Sequence, residues 1–246
     1  MLSISQSVHY YKPKIKKDDE LIKEMVKKYA YQETRWGFGK IMTKIKLDSY
    51  PWNHKKVYRI YKELGLNLRV KPKKRKITRK AEPLVLPIKS NICWSIDFMS
   101  DSLSCGSKFR TLNVIEDYNR QALLVKARRS LTALVVTRFL EQLIQEKGSP
   151  SIIRVYNGPE FISYRFKQWA QDKGIKLRYI QPGKPAQNAY IERFNRTYRE
   201  DILDAYIFDS IRDVNYITKK WITKYNHERP HEALGNITPI QFAVKI

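Results

Sequence analysis

Apolar side chains recur at helical spacing in the first third of the chain. The acidic residues at 18–20 favour a helix N-terminus, and Ile22 and Val26 follow on one face of the predicted helix. A later helix is predicted to begin after Asn53, a residue type that favours the N-cap, and to end at Gly65. These patterns predict a small domain of two or three short helices.

From residue 91 onward the pattern changes to short apolar runs, typical of strands, that are separated by helical segments. Strands are predicted at 91–99, 109–116, 121–126, 152–156 and 175–180, and helices at 132–147, 163–173, 188–203 and 211–225. This order is compatible with an α/β fold, a ribonuclease-H-like core in which helices flank a five-stranded mixed sheet. The predicted segments are a lead-in (1–17), a helical DNA-binding module (18–70), a basic proline-containing linker (71–90) and a core with C-terminal helices (91–246).

The net charge is strongly positive. The chain has 48 Lys and Arg residues against 24 Asp and Glu residues, a net of +24, and residues 1–90 alone carry +16. A field of this sign attracts polyanions, so nucleic acid is the expected partner. An anionic membrane surface is the alternative, but no strongly amphipathic basic helix supports it. Because there is no apolar run of ~18 residues and no signal-peptide core, we expect a cytoplasmic, nucleoid-associated protein without membrane contact.

Basic side chains on the last predicted helix of the N-terminal module are candidates for DNA contact. They are Lys55, Lys56 and Arg59, and a merely solvated basic face is the alternative. The linker carries seven positive charges over residues 71–80 and no acidic residue. A basic tether of this kind contacts phosphates without reading bases, and the alternative is a linker that only increases solubility. The linker candidates are Lys73, Lys74, Arg75 and Lys76.

One carboxylate interrupts an apolar strand. Asp97 lies between Ile96 and Phe98, where a charge needs a metal ion or another partner to offset its loss of water. The alternative is an aspartate at a strand end that caps a turn toward Ser100 and Asp101.

Short motifs of aromatic, acidic and turn-forming residues recur along nearly the whole chain. They lie at 35–37, 53–58, 94–98, 154–161, 181–185, 187–195, 225–231, 234–235 and 238–239. Together they resemble the second-reading-frame transposases of a family of bacterial insertion sequences, which share the catalytic core of retroviral integrases. The set is far more specific than any single motif.

The resemblance implies DNA strand cleavage and transfer by three carboxylates that hold Mg²⁺, with Mn²⁺ able to substitute. Asp97 and Glu192 match two of these catalytic, metal-binding residues. Tyr156, with 35 residues between it and Glu192, occupies the place of the middle aspartate. A phenol with a pKa of about 10 is neutral at pH 7 and a poor Mg²⁺ ligand, so we expect impaired activity. Neither Glu160 nor Asn157 is expected to replace the missing acid.

Further cations accompany the same motifs. Lys184 precedes the predicted helix of Glu192, and Arg193, Arg196 and Arg199 continue along that helix. These four residues are predicted to hold DNA phosphates near the site of cleavage, and a solvated basic helix face is the alternative.

A zinc site is not expected. Two cysteines, Cys93 and Cys105, are too few for a cysteine-rich site, and both are interpreted as reduced thiols. His227 and His231 are four residues apart, but the Arg-Pro pair between them argues against a regular helix, and no further Cys or His lies nearby.

Three functions therefore remain open. The first is an active transposase, and the second is a catalytically inactive protein that holds element ends or inhibits active transposase. The third is a ribonuclease-H-like nuclease acting on RNA or junctions, which the basic N-terminal module and the C-terminal motif disfavour. Tyr156 favours the second function for this chain. The implied partners are DNA (element ends and target), further copies of the chain assembled on that DNA, and the helix-turn-helix product of an upstream reading frame.

Overall fold

The computed structural model describes residue 10 and residues 18–67, 86–181 and 185–244. The chain forms two compact units, residues 1–74 and 75–246. Most of the predicted lead-in and linker lies outside the described residues, as do five predicted DNA-binding residues: Lys73, Lys74, Arg75, Lys76 and Lys184. None of the helices in the described ranges combines the length and the apolarity that crossing a membrane requires.

The described part of the N-terminal unit contains three helices: α1 (Asp19–Gln32), α2 (Phe38–Leu47) and α3 (His54–Glu63). Both predicted ends of α3 are confirmed. The Asn53 side chain accepts a hydrogen bond from the Lys55 amide (2.8 Å), and Gly65 has a left-handed φ of 65° just beyond the helix. All three helices contribute fully buried apolar side chains to one core: Ile22, Val26, Ile41, Ile45, Val57 and Ile60.

The second unit is built on a five-stranded mixed sheet. Its strands are β1 (Cys93–Ser102), β2 (Lys108–Glu116), β3 (Ala122–Arg128), β4 (Ile152–Val155) and β5 (Lys176–Tyr179). They lie in the order β3-β2-β1-β4-β5. Strand β2 pairs antiparallel with both β3 and β1, whereas β1, β4 and β5 are parallel. This order confirms the predicted ribonuclease-H-like core.

Helices cover both faces of the sheet. They are α4 (Ala133–Lys147), α5 (Pro159–Ile162), α6 (Tyr164–Asp172), α7 (Ala189–Tyr198), α8 (Ile211–His227) and α9 (Pro239–Val244). Apolar residues of α4 and α6 form one core with the sheet, and those of α7 and α8 form another. The segment predicted as one helix at 188–203 is not a single α-helix. A 3₁₀ turn (Pro185–Asn188) precedes α7, and a π-helical turn (Arg199–Leu203) follows it.

A buried ion pair joins β4 to the turn between β2 and β3. The Arg154 guanidinium donates a hydrogen bond to Asp117 (2.5 Å), and the hydroxyl of Ser95 donates to the other carboxylate oxygen (2.6 Å). All three side chains are buried. Burial raises the pKa of Asp117, and the adjacent positive charge of Arg154 opposes this rise. The pair therefore holds three neighbouring strands in place at the end of the sheet where β1 and β4 begin.

Arg154→Ala is expected to lower the free energy of unfolding by about 3–5 kcal/mol, because it leaves the Asp117 carboxylate buried without its cation. Urea unfolding followed by circular dichroism measures this change. Arg165→Ala, at an exposed position of α6, is the matched control and should change the free energy by less than about 0.5 kcal/mol. A loss below ~1 kcal/mol for Arg154→Ala would contradict the structural role of the pair.

Candidate active site

Asp97 lies in the middle of β1, the central strand of the sheet. Because β1 continues to Ser102, the alternative in which Asp97 caps a turn at a strand end is wrong. Side chains alternate along a strand, and Trp94 and Ile96 pack into the core that contains α4 and α6. Asp97 shares the opposite face with Met99, on the side where α7 packs. The sheet thus presents this carboxylate to the helix that carries the second predicted acid.

Two asparagines orient the Asp97 carboxylate. Asn195 on α7 donates a hydrogen bond to Asp97 Oδ2 (2.7 Å), and Asn113, opposite Asp97 on β2, donates to the amide oxygen of Asn195 (2.7 Å). Burial raises the pKa of Asp97 to about 6, and the negative charge of Glu192 adds to this rise. The hydrogen bond from Asn195 acts in the opposite direction.

Sequence reasoning did not predict roles for Asn113 and Asn195. Asn113 stands in an apolar stretch between Leu112 and Val114, and a polar residue inside such a run was the available signal. Asn195 comes three residues after Glu192, one turn along the same helix. Only the folded sheet brings the two amides into contact.

Tyr156 directly follows β4, and its side chain lies at the candidate active site beside Glu192. In the parallel ladder Ser95 lies opposite Arg154, so two residues further along Tyr156 is level with Asp97. The Tyr156 hydroxyl donates a hydrogen bond to Glu192 Oε1 (2.5 Å). Burial raises the pKa of the Tyr156 phenol, and the hydrogen bond and charge of Glu192 raise it further, so the phenol is neutral at pH 7. The three predicted catalytic positions therefore converge.

Glu160 and Asn157, the acidic and amide residues that follow Tyr156, form contacts with other residues. Glu160 forms an ion pair with Arg110, whose guanidinium carbon lies 4.3 Å from the centroid of the Phe98 ring. Asn157 donates a hydrogen bond to the carbonyl of Ile180 (3.0 Å). Each side chain therefore already has a partner, and that neither residue replaces the middle acid stays a prediction.

The donor atoms at this site include two carboxylates and one phenol. Within residues 18–67, 86–181 and 185–244, no group of three or more His, Cys, Asp or Glu side chains is arranged to hold a metal ion. Asp97 and Glu192 supply hard oxygen ligands of the kind that Mg²⁺ prefers, but one oxygen of Glu192 accepts the hydrogen bond from Tyr156. The residues present therefore do not fit a two-ion centre of the type used for phosphoryl transfer.

The predicted cations of α7 and the turn after it differ in their partners. Arg193 and Arg196 are exposed, and neither forms an ion pair within the described part of the chain. Arg199 donates a hydrogen bond to the carbonyl of Ser100 (3.0 Å), and its guanidinium lies 3.5 Å from the carboxylate of Asp101. Arg199 thus binds β1, whereas the two preceding arginines are available to an external anion.

The three predicted cations of α3 also differ. Lys56 lies 3.0 Å from a carboxylate oxygen of Asp18 and 3.3 Å from one of Asp19. Arg59 donates a hydrogen bond to Asp19 (2.6 Å). Lys55 is exposed and forms no ion pair among the described residues. Two of the three cations therefore hold α3 against the start of α1.

Comparison with known proteins identifies the family. A protein of insertion element IS407 from Burkholderia multivorans is 34% identical over 245 residues, which cover 100% of this chain and 88% of the relative. The chain belongs to the integrase-core family of insertion-element transposases. Two families described as "Integrase core domain" match this transposase-family chain, one at residues 88–185 and the other at residues 173–239, and a family described as "HTH-like domain" matches at residues 16–76.

More distant relatives agree with this assignment. A Mycobacterium tuberculosis protein provisionally named as the transposase for insertion sequence element IS986/IS6110 is 23% identical to this family member, over 92% of this chain and 87% of the relative. A chain in the cryo-EM structure of the simian T-cell lymphotropic virus intasome, in complex with a PP2A regulatory subunit, aligns with a TM-score of 0.53 and 15% identity. The alignment covers 90% of the present transposase-family chain and 74% of that chain, and it supports the fold alone.

Asp97→Asn is expected to stabilise the second unit at neutral pH by roughly 1–3 kcal/mol. The folded-state pKa of Asp97, about 6, lies above the ordinary value of 3.8, so the folded state binds more protons between these pH values. Stability therefore falls as pH rises through this window, and the substitution removes that dependence. Urea unfolding over a pH series tests this, with the exposed Asp172→Asn as control. Identical pH profiles for Asp97→Asn and the unmodified chain would contradict it.

Proposed function

We propose that this chain is an insertion-element transposase that retains binding to element ends, while Tyr156 suppresses its Mg²⁺-dependent strand cleavage. The observation that carries the proposal is the hydrogen bond from Tyr156 to Glu192. It places a neutral phenol where the family resemblance implies a carboxylate. In this role the chain acts as a DNA-binding protein that occupies element ends. Alternatively, it joins assemblies of active copies and thereby inhibits them.

The chemistry of metal ligands supports the suppressed activity. Phosphoryl transfer by two divalent ions, spaced ~3.5–4 Å apart, relies on carboxylates that leave coordination sites open for phosphate oxygens. The phenol of Tyr156 removes one of the three negative charges, and its hydroxyl also holds one oxygen of Glu192. Asp97 remains oriented by Asn195, so the substitution affects one part of an otherwise ordered site.

The distribution of cations supports the retained DNA binding. Lys55 in the N-terminal unit and Arg193 and Arg196 in the second unit are exposed, and none is neutralised by a carboxylate among the described residues. Contacts of this kind hold phosphates without reading sequence, so they position DNA rather than select it. We further propose that the chain assembles with copies of itself on paired element ends and target DNA, together with the helix-turn-helix product of an upstream frame.

Tyr156→Asp is expected to increase Mg²⁺-dependent strand cleavage by on the order of 100-fold or more, because it restores the third carboxylate. The assay uses labelled DNA that carries the element's own end, in Mg²⁺ and in Mn²⁺. Tyr156→Phe is the matched control, since it releases Glu192 from its hydrogen bond but supplies no ligand, and it should remain inactive. Calorimetric titration with Mn²⁺ should detect binding by Tyr156→Asp and not by Tyr156→Phe.

Equal cleavage by the unmodified chain and by Tyr156→Asp would contradict the proposed suppression. It would mean that another group completes the metal site despite the ion pair of Glu160 with Arg110. Absence of cleavage by both, with intact DNA binding, would locate a further defect outside Tyr156.

Lys55→Gln and Lys56→Gln are expected to have different effects on DNA binding although they remove the same charge. Lys55→Gln should reduce the slope of log affinity against log salt by about 1, because an exposed cation that contacts phosphate is lost. Lys56→Gln should leave the slope unchanged, because this lysine is paired with Asp18 and Asp19. Fluorescence anisotropy over a salt series provides the measurement, and equal slopes for the two variants would contradict the assignment.

A further inference from the structure

Asn188, immediately before α7, is a buried polar residue without a visible structural task. Its side chain is 0% exposed, and among the described residues neither its amide oxygen nor its amide nitrogen has a hydrogen-bond partner. Enclosing an amide without partners costs stability, and such groups are rare in folded proteins. The side chain therefore indicates a contact that this chain does not make.

The usual reason for an asparagine at this position does not apply. Asn188 ends the 3₁₀ turn Pro185–Asn188 and is the N-cap of α7, where the side chain ordinarily accepts a hydrogen bond from an amide of the first helical turn. The Asn188 side chain forms no such bond. Because it is fully buried, it also cannot contact a DNA strand directly. Its natural partner is therefore a neighbouring side chain of the protein itself.

Asn188 lies on the face of α7 that forms the candidate active site. Asn188, Glu192 and Asn195 are spaced four and three residues apart, so they share one face of the helix. The second and third of these residues contact the sheet. Asn195 donates a hydrogen bond to Asp97 on β1, and Glu192 accepts one from Tyr156, which follows β4. Asn188 is the member of this face that remains unpaired.

The residue beside the Asn188 amide is Tyr156. Burial raises the pKa of the Tyr156 phenol, and the nearby Asn188 amide opposes that rise, although the two groups do not reach hydrogen-bond geometry. Tyrosine carries its only oxygen at the far end of a rigid ring, where the hydroxyl meets Glu192. An aspartate would instead carry two acceptor oxygens close to the backbone. The identity of residue 156 thus decides whether Asn188 has an acceptor.

We infer that Asn188 is a positioning residue for the acid at position 156, whose carboxylate accepts a hydrogen bond from the Asn188 amide, and that tyrosine leaves this donor unpaired. The contact would repeat the one between Asn195 and Asp97, in which an amide of the same helix face orients a carboxylate of the sheet at 2.7 Å. One asparagine on each side of Glu192 would then serve one acid. This inference rests on the proposed function, in which position 156 belongs to the middle acid.

The test is a double-mutant cycle between positions 156 and 188 in the full chain, followed by urea unfolding of the second unit. In the unmodified chain, Asn188→Leu replaces an unpaired amide by an apolar side chain of similar size, so the unfolding equilibrium constant should stay the same or fall. In the Tyr156→Asp background, the same substitution removes a donor from a carboxylate. The constant should then rise by roughly 10–100-fold.

The matched control is Asn215→Leu. Asn215, on α8, accepts a hydrogen bond from the Ala127 amide (2.9 Å) and donates one to the Ala127 carbonyl (3.1 Å), so its loss destabilises the same unit through different partners. Asn215→Leu should raise the unfolding equilibrium constant by the same factor with tyrosine and with aspartate at position 156.

A spectroscopic signature separates the hydrogen bond from a general effect on folding. In a nitrogen–proton correlation spectrum, the side-chain amide signal of Asn188 is assigned by its absence in Asn188→Leu. This proton signal should move downfield in Tyr156→Asp and should not do so in Tyr156→Phe, which offers no acceptor. If Tyr156→Asp folds too poorly for a spectrum, Tyr156→Asn offers a neutral acceptor and should give a smaller shift in the same direction.

The outcomes distinguish this inference from the proposed function. Equal effects of Asn188→Leu in the two backgrounds would overturn the role of Asn188, even if Tyr156→Asp restores cleavage and the proposed function stands. Coupling of the same size for Asn215→Leu would also overturn it, because the effect would then reflect general stability. Coupling and a downfield shift confined to Asn188, without restored cleavage, would support the hydrogen bond and count against the proposed suppression by Tyr156 alone.

Discussion

The candidate site depends on the position of β1 between an antiparallel and a parallel neighbour. The antiparallel pairing with β2 places Asn113 opposite Asp97, and the parallel pairing with β4 brings Tyr156 level with the same residue. The Arg154–Asp117 ion pair holds β4 to the β2–β3 turn two residues before Tyr156. A shift of one residue in either pairing would turn Asp97 away from α7, so the register of the sheet determines the chemistry of the site.

Within that register, burial and hydrogen bonding act in opposite directions on the ionisation of the Asp97 carboxyl. Burial favours the protonated carboxyl, and the charge of Glu192 acts in the same direction. The amide of Asn195 favours the charged form, and Asn113 fixes which end of that amide faces Asp97. Tyr156 relieves Glu192 by hydrogen bonding, which a carboxylate at this position could not do. The site therefore carries less negative charge than a cluster of three acids would, although the raised pKa of Asp97 shows that its charged form is still disfavoured.

Most elements of the fold were predictable from the sequence because each carries a local signal. The Asn53 cap, the Gly65 stop and the five-stranded mixed sheet are confirmed, and so is the ribonuclease-H-like core. The roles of individual polar residues were harder to predict from the sequence. Lys55 and Lys56 are adjacent and chemically identical, yet only Lys56 meets the acidic start of α1. Such pairings depend on residues distant in sequence, as do the contacts of Asn195, and no local pattern encodes them.

The ordered surroundings of Asp97 also have a genetic consequence. Asn113 and Asn195 orient Asp97, and Tyr156 hydrogen-bonds to Glu192, so under the proposed function the missing acid corresponds to one side chain, Tyr156. Aspartate and tyrosine codons differ by a single nucleotide. Under the proposed function, a single point mutation at codon 156 would therefore supply the third acid.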